Sequence, residues 1–404
     1  MAYKIVIPSE SFMDELNKSL AASQAGYEAG SILPRTRSMH VEQMILNAPS
    51  RKSGGGTIPQ QHFHSLHNLC SFVIDSDHLD EDYFRAVFDA QIHENVKVAS
   101  VTPTELSAEH KTHLPEFWHK EKLKVGEQSW TGQGITVGVL DSGIYTAHQE
   151  FEGKTVKFAE FDKNGRLVGN TAKDFGTHGT HVCGLLAGKN AGIAPDAALT
   201  VAAVLTENGG EAGYLAQILG GLNWLLGDGT TEGPDAAIHL INASIETSPG
   251  FNDYLYAALK NATTTPGTLM VAAIGNDGSK GVNSDTSPGN YDLTIGVGAL
   301  NEDDEVASFS SWGKVEELNN ISKPDLSAPG VWLYSSLAGP GNLYFKQSGT
   351  SMASPVACGV AALLLEKEPD LRYQPEKLKE LLIKAVVPVS DKERAGAGRV
   401  NIIE

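Results

Sequence analysis

The chain has 404 residues, with 41% hydrophobic and 20% charged side chains, the composition of an ordinary globular protein with room for one large and one smaller domain. Its formal net charge of −18 argues against a phosphate-binding surface, which needs clustered Lys and Arg, so no nucleic-acid partner is expected. No run approaches the roughly 18 apolar residues of a membrane span, and Met1-Ala2-Tyr3-Lys4 leads into no apolar signal segment. With three cysteines and no disulfide framework, a cytoplasmic protein away from membranes is expected.

In chain order, Tyr3–Ile7 predicts a short strand and Phe12–Ala22 a helix. Ser31–His64 carries no sustained period and reads as irregular. Within it, Arg51-Lys52-Ser53-Gly54-Gly55-Gly56 lacks the Gly-Lys-Ser/Thr ending of a phosphate cradle and reads as a loop. Cys70–Ile74 predicts a strand, Glu81–Gln91 a helix and Val96–Val101 a further strand. Seven histidines fall in the first 110 residues; scattered ones are mostly surface residues, with pH sensing as the alternative.

From Ile135 onward, short apolar runs alternate with helical patterns. Ile135–Leu140, Leu199–Val204, Ile238–Ala243, Leu269–Ile274 and Leu293–Val297 have the Gly, Asp, Asn or Pro boundaries of buried strands. Leu215, Ile218, Leu219, Leu222 and Leu226 recur at helical spacing. So do Leu378, Leu381, Leu382 and Ala385, with Pro388 just past the stop. The predicted fold is α/β: a mostly parallel, doubly wound sheet with helices on both faces, over residues 111–404. A small α+β domain over residues 1–110 precedes it.

Three separated segments carry the chemistry: Val139-Leu140-Asp141-Ser142-Gly143, His178-Gly179-Thr180-His181-Val182 and Gly349-Thr350-Ser351-Met352-Ala353-Ser354-Pro355. A serine hydroxyl needs a base to take its proton, and His178 is the candidate base for Ser351. Asp141 would fix the imidazole tautomer and stabilise the imidazolium. Ser351 stands at the start of the predicted helix that runs through Ala353–Leu365, where first-turn amides suit developing negative charge and Pro355 is tolerated. The order Asp, His, Ser is that of the subtilisins. On these motifs the chain from about Lys111 resembles the subtilase family of serine proteases.

The resemblance implies a serine endopeptidase acting on a protein or peptide through an acyl-enzyme on Ser351. Asn276, in Ala272-Ala273-Ile274-Gly275-Asn276-Asp277-Gly278, becomes the side-chain donor to the oxyanion. An extended substrate would lie between Glu211-Ala212-Gly213 and Ser244-Ile245-Glu246, gripped by backbone pairing. Ala273, Gly275, Asp277 and Asp285 fall around the first specificity pocket. Glu246 replaces the glycine usual in the family. Carboxylates there would favour a basic residue before the cut, unless they face solvent. The strand–helix–strand ending of residues 1–110 is similar to a subtilase propeptide, which implies a self-processing zymogen inhibited by its own N-terminal domain. An unrelated accessory domain is the alternative, since 31–64 is longer than usual. Self-cleavage is then expected within Leu106–His113, after Lys111.

No metal or other cofactor is expected. The family's calcium loop after the catalytic His has no counterpart in Leu185–Pro195, which runs on without a carboxylate, although weaker calcium sites through backbone carbonyls remain compatible with the sequence. His178, His181 and Cys183 have zinc-ligand chemistry but lack a second cluster nearby. A peptide ligase using the same acyl-enzyme and a non-catalytic peptide-binding module are the rival functions.

Overall fold

The computed structural model describes residues 2–23, 34–52, 56–100, 105–227, 237–247, 250–262 and 267–402. The N-terminal part comprises β1 (Tyr3–Ile7), α1 (Glu10–Ser23), α2 (Pro34–Leu46), β2 (Phe63–Leu66), β3 (Ser71–Asp75), α3 (Glu81–Phe88) and β4 (Gln91–Glu94). Its four strands form an antiparallel sheet in the order β2-β3-β1-β4. Strand alternation gives this sheet two apolar faces. Val6, Phe72 and Ile74 pack with Met13, Val41, Ile45, Phe84 and Phe88 of the three helices. Ile5, Ile7 and Val73 instead join a cluster with Leu215, Leu219 and Leu255 of the larger domain. One face therefore builds a private core while the other is a docking surface.

Two sequence expectations change here. The 31–64 stretch contains α2; among its described side chains Val41 and Ile45, one helical turn apart, are buried, too sparse a stripe to read as periodic. The helix expected to reach Gln91 stops at Phe88, because Asp89 turns left-handed (φ 46°) and Gln91 begins β4.

The chain continues through β5 (Lys97–Ser100), β6 (Glu105–Lys111), α4 (Trp118–Lys122), β7 (Thr136–Asp141), β8 (Val156–Phe161), β9 (Leu167–Gly169), α5 (His178–Ala187), β10 (Ala198–Ala203), β11 (Ala212–Tyr214), α6 (Leu215–Leu225), β12 (Leu240–Ala243), β13 (Ile245–Glu246) and α7 (Asp253–Ala262). After these come β14 (Leu269–Ala273), β15 (Thr294–Leu300), the hairpin β16 (Gly313–Val315) and β17 (Ile321–Lys323), then β18 (Leu326–Pro329), β19 (Leu333–Ser336), β20 (Tyr344–Ser348), α8 (Thr350–Lys367), α9 (Pro375–Lys384) and α10 (Lys392–Ala395).

Eight strands form the central sheet, in the order β18-β15-β14-β12-β7-β10-β8-β9, parallel except for β9. The inner strands are buried along their length, which is why they read as continuous apolar runs. Helix α8 is buried from Thr350 to Leu365 and packs on α5 and on β12, β14, β15 and β18. Among the described residues no helix is long and apolar enough to cross a membrane.

Candidate active site

Asp141 closes β7 and His178 opens α5. Their side chains meet with His178 Nδ1 2.8 Å from Asp141 Oδ1. The carboxylate only accepts, so Nδ1 carries the hydrogen and Nε2 is left as the basic nitrogen. Nε2 makes no hydrogen bond among the described residues. Burial pushes the His178 imidazole toward neutrality, but the charge of Asp141, the hydrogen bond and the charge of Asp174 outweigh it, so its pKa lies above the ordinary value. Close approach of the two elements depends on Gly179, where a Cβ would sit 2.2 Å from the Gly143 carbonyl oxygen.

Asp174 was not singled out from the sequence, yet it fastens this corner. Its Oδ1 accepts from Ser142 Oγ (2.7 Å), and its Oδ2 accepts from Thr180 N–H (2.8 Å) and Thr180 Oγ1 (2.5 Å). Ser142 Oγ in turn accepts from the Gly179 N–H at 2.9 Å. A carboxylate just before a helix start is a helix N-terminus signal, the one clue the sequence offered.

Ser351 is the second residue of α8, which starts at Thr350. Pro355 therefore lies in the second turn, where its missing N–H would have bonded the Ser351 carbonyl. That carbonyl accepts from Ser244 Oγ instead, at 3.0 Å, which ties the helix start to the end of β12. The Ser351 hydroxyl lies 3.5 Å from the Ser244 carbonyl. Asn276 follows β14, and its Oδ1 accepts from the Thr350 N–H at 2.9 Å, with Thr350 Oγ1 at 3.0 Å. Because a backbone amide can only donate, this fixes the Asn276 orientation and leaves Nδ2 as the donating end.

Beside these groups runs a cleft whose two edges are β11 and β13, and β5 lies in it as the middle strand. It is antiparallel to both, with Ala212 opposite Ala99, Gly213 opposite Val98, Ile245 opposite Ser100 and Glu246 opposite Ala99. Ala212, Gly213, Ile245 and Glu246 thus flank β5, an extended segment of the chain itself, and Ser244 adjoins Ser351. Glu211 is exposed and precedes the paired residues. Ala273 and Gly275 flank the end of β14; Gly275, at φ +111°, comes within 3.3 Å of Thr350 Oγ1 through its N–H.

The three carboxylates expected near the specificity pocket have different partners. Asp277 bonds Lys280 Nζ at 2.7 Å. Asp285 is buried and accepts from Asn290 Nδ2 at 3.1 Å. Glu246 is pushed up to about 7, first by burial and then by the charge of Asp277.

His181 Nε2 lies 3.2 Å from the carbonyls of both Leu333 and Phe345, and burial lowers its pKa to about 3. At the turn after α5, the buried Glu150 carboxylate accepts from the N–H groups of Asn190 and Ala191 and from Asn190 Nδ2, and Tyr344 Oη donates to it at 2.5 Å.

The sequence model of the subtilase family (peptidase S8) matches residues 132–400. Serine protease AprX of Bacillus subtilis strain 168 is 34% identical over 330 residues, covering 71% of this chain and 69% of its own. Subtilisin E of the same organism is 34% identical over 249 residues, 60% of this chain and 58% of its own. Subtilisin DY of Bacillus licheniformis is 33% identical over 286 residues, 69% of this chain and 93% of its own. A crystal structure of a cold-adapted subtilisin-like serine proteinase aligns with a TM-score of 0.57 at 28% identity, covering 69% of this chain and 92% of that one. With the family model matching well over half of its length, the chain belongs to the subtilase family of serine endopeptidases.

Proposed function

We propose that the protein is a self-processing endopeptidase that hydrolyses peptide bonds through an acyl-enzyme on Ser351. His178 Nε2 takes the hydroxyl proton, and Asp141 holds the ring and stabilises the resulting imidazolium. The Asn276 amide and the Ser351 N–H, a first-turn amide of α8, stabilise the oxyanion. Protons then pass from His178 to the leaving amine and back from water to His178 in deacylation.

The observation that carries this reading is the seating of Lys97–Ser100 between β11 and β13. An extended peptide would lie in the cleft in that way, and the occupant is the chain's own N-terminal part. We therefore read residues 1–110 as an intramolecular inhibitor of the 111–404 domain. The processing site moves with this register. Lys111 is strand-paired with Tyr344 in β20, and its Nζ lies 4.7 Å from the centre of the Tyr334 ring. Ser100, by contrast, pairs beside Ser244, which touches Ser351, and Glu105 pairs with Ser348, three residues ahead of Ser351. The expected cut falls between these anchors, within 101–104, which lie outside the described residues. Val101-Thr102-Pro103-Thr104 contains no basic residue, so self-processing does not call for one.

The catalytic domain is further proposed to work without calcium at the 185–195 stretch, where protein donors already surround Glu150. The cytoplasmic location expected from the sequence belongs to the same proposal and is tested by fractionating source cells. For the mechanism, wild type should show a new N-terminus between 101 and 105 in intact mass and N-terminal sequencing, and Ser351→Ala should remain uncut. Ser351→Ala, His178→Ala and Asp141→Ala should each remove nearly all peptidase activity without adding, because the three act as one unit. A new N-terminus at 112, or activity in Ser351→Ala, would refute the assignment.

A further inference from the structure

Asp75 ends β3 with 1% exposure. Its Oδ2 lies 3.1 Å from His62 Nδ1, and the His62 and His78 rings stack with centroids 4.0 Å apart. One ligand atom from each of the three falls within 4.8 Å of the others. No other set of three His, Cys, Asp or Glu groups converges in this way among the described residues. We propose that His62, Asp75 and His78 form a binding site for a divalent transition-metal ion such as zinc, within the N-terminal domain.

The donor set selects the metal class. Two imidazoles and one carboxylate suit zinc, cobalt, nickel or copper, whereas calcium and magnesium prefer oxygen alone. Ligand atoms about 2.0–2.1 Å from a tetrahedral ion stand roughly 3.3 Å apart, close to the spacing of His62 Nδ1 and Asp75 Oδ2. The surroundings orient the ligands. Ser50 Oγ is hydrogen-bonded to His78 Nδ1 at 2.9 Å, which reserves Nε2 for an ion. The Asp77 N–H donates to Asp75 Oδ1 at 3.1 Å, which leaves Oδ2 toward the histidines. The rings lie 26° from parallel, so both cannot aim a lone pair at one ion until one turns. His62, with 18% of its side chain exposed, has room to do so, while His78 is buried.

The ion would join the end of β3 to the Gln60–His62 turn, where the Gln61 carbonyl accepts from Arg166 Nη2 of the catalytic domain at 3.0 Å. A ligand bound only by the folded form stabilises it, so the ion would make the N-terminal domain a firmer occupant of the cleft. This consequence rests on the inhibitory reading above; the site itself does not.

The test uses the full-length Ser351→Ala precursor, stripped with EDTA and dialysed. Titration with Co²⁺ should give visible d–d bands saturating at one ion per chain, and calorimetry with Zn²⁺ should give the same stoichiometry. Zn²⁺ should also raise the melting temperature. His62→Gln and His78→Gln should each weaken binding at least about tenfold and abolish the thermal shift. If Asp75→Asn or His78→Gln fails to fold, the partly exposed His62→Gln carries the comparison. Absence of saturable binding, or a one-to-one site unaffected by His62→Gln, overturns the proposal. In wild type, zinc should slow the appearance of activity; saturable binding without slowing would retain the site and reject its coupling to inhibition.

Discussion

Two carboxylates act on the His178 imidazole, Asp141 by contact and Asp174 through charge, and both raise its pKa against the opposing effect of burial. A raised pKa places the acid limb of kcat/KM at higher pH, because the base must be neutral to accept the serine proton. Asp174→Asn removes one of the raising charges, so the limb should move to lower pH, by a few tenths of a unit, in a pH–rate profile. An unmoved limb would make Asp174 a purely structural tie. Glu246 carries a different pH signature. Its folded pKa of about 7 lies above the ordinary 4.5, so the neutral carboxyl favours the folded state. That contribution is fully present below 4.5 and is lost as pH rises through 7. In the uncut Ser351→Ala background, Glu246→Gln should therefore melt higher than its parent at pH 8 and about equally at pH 4. An equal difference at both values would show that the side chain acts through packing instead.

At the scale of elements, the turn between α5 and β10 is held by an internal anion. Glu150 is fully buried and satisfies two backbone amides, the Asn190 side chain and the Tyr344 hydroxyl. Glu150→Ala would strand those donors at about 1–3 kcal/mol each, so a loss of at least 3 kcal/mol is expected in denaturant unfolding. With those donors in place, EDTA should leave the activity of the processed enzyme intact. A chelator-sensitive activity restored by calcium would locate an ion elsewhere in that domain. Five strands of the central sheet, β7, β10, β12, β14 and β15, were legible because burial on both faces makes each an unbroken apolar run, and the three motifs announced their residues through chemistry; β8 and β9, with polar or partly exposed positions, and the short Leu-Ser-Ala-Pro segment of β18 were not. Helix α2 was not legible, since among its described side chains only Val41 and Ile45 mark a buried stripe. Asp174 and Glu150 were hidden for another reason. Beyond the helix-start signal at Asp174, their value lies in distant partners, Ser142 for Asp174 and Tyr344 for Glu150, which no local pattern encodes. The cleft register likewise depends on pairing across more than a hundred residues, so the sequence offered Lys111 as the cut, whereas the proposal made from the register puts it within 101–104.

On the scale of the whole molecule, the N-terminal domain grips its partner by more than the strand in the cleft. Asn68 donates two hydrogen bonds to Asn223, from its N–H to Oδ1 and from its Nδ2 to the carbonyl, and Asn95 Oδ1 accepts from the Ala216 N–H in the first turn of α6. Ile5, Ile7, Leu66 and Val98 enter the apolar cluster of the larger domain. Cutting one peptide bond removes none of these contacts, so the processed N-terminal domain should stay bound. Wild type, once self-cut, should elute from gel filtration as a complex of both pieces with little activity. Val98 is the place to loosen it. It is 3% exposed between β11 and β13 yet lies outside the private core of the N-terminal domain, so replacing it should spare that domain's fold. Val98→Asp forces an unpaired carboxylate into the cleft, a cost of several kcal/mol. Release should then be faster by on the order of a hundredfold, from the exponential dependence of dissociation on that cost. The variant should elute as separate pieces and reach full activity without delay. A Val98→Asp protein that still elutes as an inactive complex would show that the docking face, and not the strand in the cleft, holds the enzyme shut.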